Sequence, residues 1–381
     1  MKKQYLLAPG PTPVPPRVLQ AMSLPIIHHR APAYKAVFAE VREGLKYLFQ
    51  TREEVLVFAS SGTGAMEGTV ANMFSPGDKV VTVNGGKFGE RWGQIAQGYG
   101  LETIVIDVPW GSAVDPGQIA DILAREGDVR GVLVQASETS TGVKHPVKEI
   151  ADIVRGYDQT ILVVDAITGV GVFELPMDEW GLDVVVTGSQ KALMLPPGLA
   201  FAAVSQKAWG FNRQATLPRY YFDFAKELKN ALKGQNAYTP AVSLIIGLRE
   251  VLAMIKEETL AGVFARHERL ANATRAGVQA LGLELFAPAS PSNAVTAVKA
   301  PAGVDGQDVV KVLRDDYGVT IAGGQDQAKG KIFRLAHLGY VGEFDVLTGL
   351  TALEMALMDL GYEVGERSGV RAAQMILRAG N

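Results

Sequence analysis

Apolar and β-branched runs recur along the first half of the chain: VLVF at 55–58, KVVTVN at 79–84, ETIVIDV at 102–108, GVLVQAS at 131–137, ILVVDAI at 161–167, DVVVTGS at 183–189 and LAFAAVS at 199–205. Near-continuous apolar runs suit strands covered on both faces and so predict a mostly parallel sheet. Helical patterns at 64–74, 116–125 and 147–156, the last introduced by Pro146, lie between them. Parallel neighbours need such crossovers. The expected fold is α/β: a mostly parallel seven-stranded sheet flanked by helices.

Other signals bound that unit. Pro9, Pro11, Pro13, Pro15 and Pro16 each fix φ and push the preceding residue toward extended geometry, so residues 1–20 are expected to form an extended arm. Long amphipathic patterns at 241–258 and 259–281 break the alternation and place a boundary at 258. The large domain is then 21–258. Residues 259–381, with strand signals at 293–300 and 331–338 and helical patterns at 305–316 and 343–360, are expected to form a smaller α+β domain.

Composition narrows the functions. The 381 residues are 48% hydrophobic and 20% charged, enough for a sizeable core. Lys plus Arg number 37 against 40 Asp plus Glu, a net charge of −3, so no positive field gathers nucleic acid or anionic lipid. The apolar run Tyr5–Ala8 is far too short for a secretory signal, and a cytoplasmic location is expected. There are no cysteines, which removes disulfides, iron–sulfur clusters, thiolate metal sites and a Cys nucleophile. The histidines show no metal-ligand spacing.

In an open α/β sheet the ligand lies beyond the carboxyl ends of the strands. After VLVF comes Ser60-Ser61-Gly62-Thr63-Gly64, a Gly-rich turn feeding a helix N-terminus, where free N–H groups favour an anion or simply let the helix pack closely. The spacing Gly62-x-Gly64-x-x-x-Gly68 is one residue longer than the dinucleotide fingerprint, and the next strand ends in Asn84 rather than an acid, which disfavours a nicotinamide cofactor. Asp165 ends an apolar strand, either tethering a loop or acting as counter-ion to a cationic ring nitrogen. Lys191 follows the next strand, either as a surface lysine or as a desolvated amine able to form a Schiff base. A phosphate at the first turn, a protonated pyridine at Asp165 and an aldehyde at Lys191 are together the anchors of pyridoxal 5'-phosphate. Phe88, after KVVTVN, either stacks on such a ring or packs in the core. The 42 glycines are concentrated in part in these turns, among them Gly62, Gly64, Gly85, Gly86 and Gly188.

These residues resemble the class V aminotransferases of the fold-type I pyridoxal-phosphate enzymes, and within them the alanine–glyoxylate and serine–pyruvate or serine–glyoxylate branch. LLAPGPTPVPPRVL, SSGTGAME, NGGKFGERWG, SETSTGV, VVDAITGVG, TGSQKALMLPPGL, NAYTPAVSLIIGLRE and FRLAHLGY occur in family order over almost the whole chain. The resemblance implies that Lys191 bonds the cofactor and moves the substrate proton, that Asp165 partners the pyridine nitrogen, and that Ser61, Gly62, Thr63 and Gln190 contact the phosphate. It also implies that Thr139 lies near the ring oxygen, that Phe88 and Ile167 contact the cofactor, and that Arg334 grips the substrate α-carboxylate. Tyr238 and Thr239 match a segment given across a homodimer with shared active sites. Many members stack Trp where this chain has Phe88.

The activity implied is transfer of an amino group from alanine or serine to glyoxylate or pyruvate by a ping-pong route. His28-His29-Arg30 is either a turn or a second anion site, as in the related phosphoserine aminotransferases, and keeps a phosphoserine or aspartate donor open. Cysteine desulfurases of the same fold use a thiol that this chain lacks. Some relatives of the branch carry the label of soluble-hydrogenase subunits, so a non-catalytic partner subunit is a further alternative, one without thiolates for metal centres.

Overall fold

The computed structural model describes residues 2–364 and 368–379. Its largest sheet has seven strands in the order Val55–Ser60, Gly198–Val204, Val184–Gly188, Ile161–Asp165, Val129–Gln135, Lys79–Asn84, Glu102–Asp107. All pairs are parallel except those of Gly198–Val204, which runs antiparallel to both neighbours. Side chains alternate between faces: Leu162 and Val164 join one buried core, while Ile161 and Val163 join the other. Helices Pro32–Phe49 and Val242–Glu258 cover the first face, and Gly62–Met73 and Gln206–Gln214 the second.

The strands end two residues short of the apolar runs at 131–137 and 161–167. Ala136 and Ala166 lie in the turns beyond them and are fully buried, because those turns form the floor of a cleft. The arm is extended only as far as Pro15, contrary to the expectation for residues 16–20. Pro16 opens the helix Pro16–Met22, whose first position tolerates proline because its N–H has no intrahelical acceptor. Helices Pro32–Phe49, Lys87–Gly98 and Phe224–Ala231 are additional to those expected.

Thr259, at φ 69, separates helix Val242–Glu258 from Leu260–Ala280. Leu260 and Val263 pack with the first core, whereas Leu270 and Val278 pack with a third, which also holds Leu7 from the arm. That placement follows from Tyr5–Leu6 pairing with Val319–Thr320. Beside this core Val295–Lys299, Ile332–Ala336 and Ala322–Gly323 form an antiparallel sheet. No helix among the described residues is long and apolar enough to cross a membrane.

Candidate active site

Ser61, Gly62, Thr63, Phe88, Thr139, Asp165, Ile167, Gln190 and Lys191 line one cleft at the carboxyl ends of the parallel strands, together with Arg91, Ser137 and Thr168. The turns that carry them are packed hard together. A Cβ on Gly62 would stand 2.5 Å from Ile167 Cδ1, so no larger residue fits between the two turns unless Ile167 moves.

Asp165 is 5% exposed, and among the described residues the one hydrogen bond to its carboxylate is the bond Ile167 N donates to Oδ1 at 2.9 Å. Burial pushes its carboxyl up to about 7. Such a group gains most from a cationic partner. Lys191 feels the opposite effect: burial, aided by the charges of Arg334 and Arg91, lowers its amine to about 8 against the pull of Asp165. Its Nζ donates to Pro9 O, while Thr12 Oγ1 donates to Lys191 O at 2.8 Å, so the arm closes over the lysine from one side.

Ser61 is the N-cap of helix Gly62–Met73, yet its side chain makes no capping bond, and the first N–H groups of a helix have no partner within it. Gln190 Oε1 is buried without a hydrogen-bond partner among the described residues. Phe88 is set by Glu138, a buried carboxylate that accepts from Phe88 N and Gly89 N, both at 2.9 Å, and from Ser140 N and Oγ. Desolvation raises the Glu138 carboxyl, while those donors lower it.

Arg334 is not among the residues lining the cleft but reaches its edge. Its Nη1 donates to Thr139 O at 2.7 Å, and Nε and Nη2 donate to Gly323 O at 3.0 and 2.7 Å. Burial lowers its guanidinium to about 10, opposed by the charge of Glu138. Tyr238 and Thr239 are not brought into the cleft: they line a separate recess with Phe58, Glu227 and Asn236. Tyr238 is held there by Lys226 Nζ at 2.9 Å and by its own bond to Tyr220 O at 2.8 Å. In the early loop, Arg30 Nη1 donates to Gln235 Oε1 at 2.6 Å, three residues before Tyr238, and the His28 and His29 rings lie 4.7 Å apart.

Arg91, Ser137 and Thr168 are lining residues that the motif reading passes over, and Arg91 is the charged one. It lies one helical turn beyond Phe88, and an i, i+3 pair on a helix shares a face. That spacing is its only sequence signal.

An open Gly-rich helix start, a buried amide with an unpartnered oxygen and a buried carboxylate with no ion pair among the described residues fit pyridoxal phosphate, and solved structures agree on the class. The fold is that of the fold-type I pyridoxal-phosphate aminotransferases: ureidoglycine–glyoxylate aminotransferase from Bacillus subtilis superposes with a TM-score of 0.94 at 30% identity over 99% of both chains. Residues 4–340 match the family model for aminotransferase class V, and the chain belongs to that family. It is 38% identical to an L-aspartate–glyoxylate aminotransferase of Paracoccus denitrificans over 97% of this chain and 95% of that one. It is also 45% identical, over 98% of each chain, to a protein of Synechococcus sp. named soluble hydrogenase, small subunit. The chain is an aminotransferase whose cofactor is pyridoxal phosphate.

Proposed function

We propose that the chain moves the amino group of alanine or serine to glyoxylate or pyruvate by a ping-pong mechanism, with Lys191 as the catalytic residue. The observation that carries this is the opposed pair in one cleft: an acid raised to about 7 and a lysine lowered to about 8, with Arg334 at the rim. When bound, pyridoxal phosphate supplies an electron sink for negative charge developing at the substrate Cα.

Ser61, Gly62, Thr63 and Gln190 would hold the phosphate, Asp165 the ring nitrogen, Phe88 and Ile167 the ring itself, and Thr139 its oxygen. Asp165, ionised by a cationic partner, keeps that nitrogen positive. Lys191, with an amine near 8, has enough neutral form at neutral pH to take the Cα proton and return it. Arg334 offers a planar fork to the α-carboxylate that donor and acceptor share, which fixes the Cα–H direction.

Tyr238 and Thr239 belong to the other active site of a homodimer in this proposal. Their separation from the cleft of their own chain and the exposure of Thr239 support that role. The proposal also carries the division into an arm (1–20), a large domain (21–258) and a small domain (259–381), and a cytoplasmic location. A second reading, an aspartate or phosphoserine donor, is favoured by the Arg30–Gln235 bond, because a segment given across a dimer would bring Arg30 with it. A panel of alanine, serine, aspartate and phosphoserine against glyoxylate, pyruvate and 2-oxoglutarate separates the two readings by kcat/KM. Lys191→Ala should abolish turnover with every pair, and retained turnover would end the lysine's assignment.

A further inference from the structure

We propose that Arg91 is an anion anchor that takes the phosphate of the cofactor and so selects its phosphorylated form. The inference rests on the pyridoxal-phosphate reading of the cleft and adds a residue to it. Arg91 is half-buried on helix Lys87–Gly98 and lines the cleft, yet forms no ion pair with any carboxylate among the described residues. Its contacts are neutral: Nη1 donates to Thr63 Oγ1 at 3.2 Å, and the guanidinium lies 5.0 Å from the centre of the Phe88 ring.

Its neighbour in sequence, Glu90, is already committed. Glu90 accepts from Lys87 at 3.0 Å and from Gln94 at 2.7 Å. Most of the five donors of a guanidinium therefore remain open, and they sit beside the residue that forms the first turn of helix Gly62–Met73, where Ser61 leaves the helix start uncapped. A guanidinium bonded to Thr63 and the dipole of the helix whose first turn holds Thr63 both favour an anion, and arginine binds phosphate through paired N–H···O bonds. The charge of Arg91 is felt at both Asp165 and Lys191, so its neutralisation by a phosphate would also relieve the pressure on the lysine.

The test titrates cofactor-free protein with pyridoxal phosphate and with pyridoxal, which has the same ring and aldehyde but no phosphate, following absorbance and intrinsic fluorescence. Removing a charge-assisted phosphate contact costs roughly 10- to 100-fold in affinity. Arg91→Met is expected to raise the Kd for pyridoxal phosphate by about that factor and to change the Kd for pyridoxal less than about twofold, with Arg91→Lys recovering part of the loss. An equal loss for both compounds would show that Arg91 only supports the Phe88 ring and would overturn the proposal. Unchanged pyridoxal-phosphate binding with a raised KM confined to aspartate would overturn it in favour of a substrate carboxylate. A wild-type protein that binds pyridoxal phosphate no better than pyridoxal would sink the cleft assignment itself, so the two failures are distinguishable.

Discussion

Replacing Asp165 by Asn should stabilise the cofactor-free protein at alkaline pH while disabling the enzyme. Burial raises the carboxyl to about 7 in the folded chain from its ordinary 3.8. For an acid raised in this way, the folded state holds a proton that the unfolded state has already released, so stability is complete below about pH 4 and falls as pH rises to about 7. The difference of roughly three units corresponds to about 4 kcal/mol once both states are ionised. With Asp165 5% exposed, little of that is discounted by solvent.

Asn keeps the oxygen that accepts from Ile167 N and carries no charge, so the penalty disappears in the variant. With an unfolding entropy of ~2.1 cal/mol/K per residue over 381 residues, 4 kcal/mol is a rise of about 5 °C. Thermal unfolding of both cofactor-free proteins from pH 4 to 8.5 should show no difference at the acid end and a gap opening to several degrees by pH 8. Transamination by the same variant should drop roughly 10²-fold or more, since a preorganised charge is lost. A variant with the pH profile of the wild type, or one less stable at pH 8, would refute the argument that this carboxylate is held ionised against its environment.

Arg334→Lys keeps the charge but loses the fork, and should raise KM for amino donor and oxo acceptor alike by roughly 10- to 100-fold; steady-state kinetics in which one substrate alone is affected would count against a shared carboxylate site. Glu138→Ala leaves Phe88 N and Gly89 N without their acceptor, at about 1–3 kcal/mol for each buried group, so urea unfolding should shift by several kcal/mol. The same variant should weaken pyridoxal-phosphate binding through misplacement of Phe88, and an unchanged affinity would show that the ring does not depend on this cap.

The sheet is legible in sequence because its strands are buried on both faces, which leaves runs such as ILVV with no polar interruption. The ends of those runs mislead for the same reason: Ala136 and Ala166 are as buried as the strand residues before them, so hydrophobicity continues past the last ladder bond. Helix Pro32–Phe49 places Val37, Val41, Leu45 and Leu48 on one buried stripe, a regular signal that the proline-rich arm and the paired histidines before it obscure. Asp165 and Lys191 are legible because a charged residue at the end of an apolar strand needs a reason to be there. Arg91 is not, since an arginine on an amphipathic helix resembles any solvated one until the fold turns it into the cleft. Tyr238 and Thr239 are legible as site residues only through resemblance, because within their own chain they line a recess apart from the cleft.

Asp165, Lys191 and Arg334 share one condition. Asp165 is pushed up, Lys191 down and Arg334 down, and in each case burial is the largest cause. Each would be better solvated outside, and each is held in place by structure that does not need it: an apolar strand, the turn after it, and a strand paired on both sides at Ala297 and Ala322. The cores built by those strands therefore offset a site that is costly when empty. A ligand with a cationic ring, a phosphate and, on the substrate, a carboxylate would relieve those costs at Asp165, at the helix start and at Arg334. Cofactor binding should accordingly stabilise the fold well beyond its apolar contact area, and the stabilisation should be larger above pH 7, where Asp165 is ionised and without a cationic partner of its own.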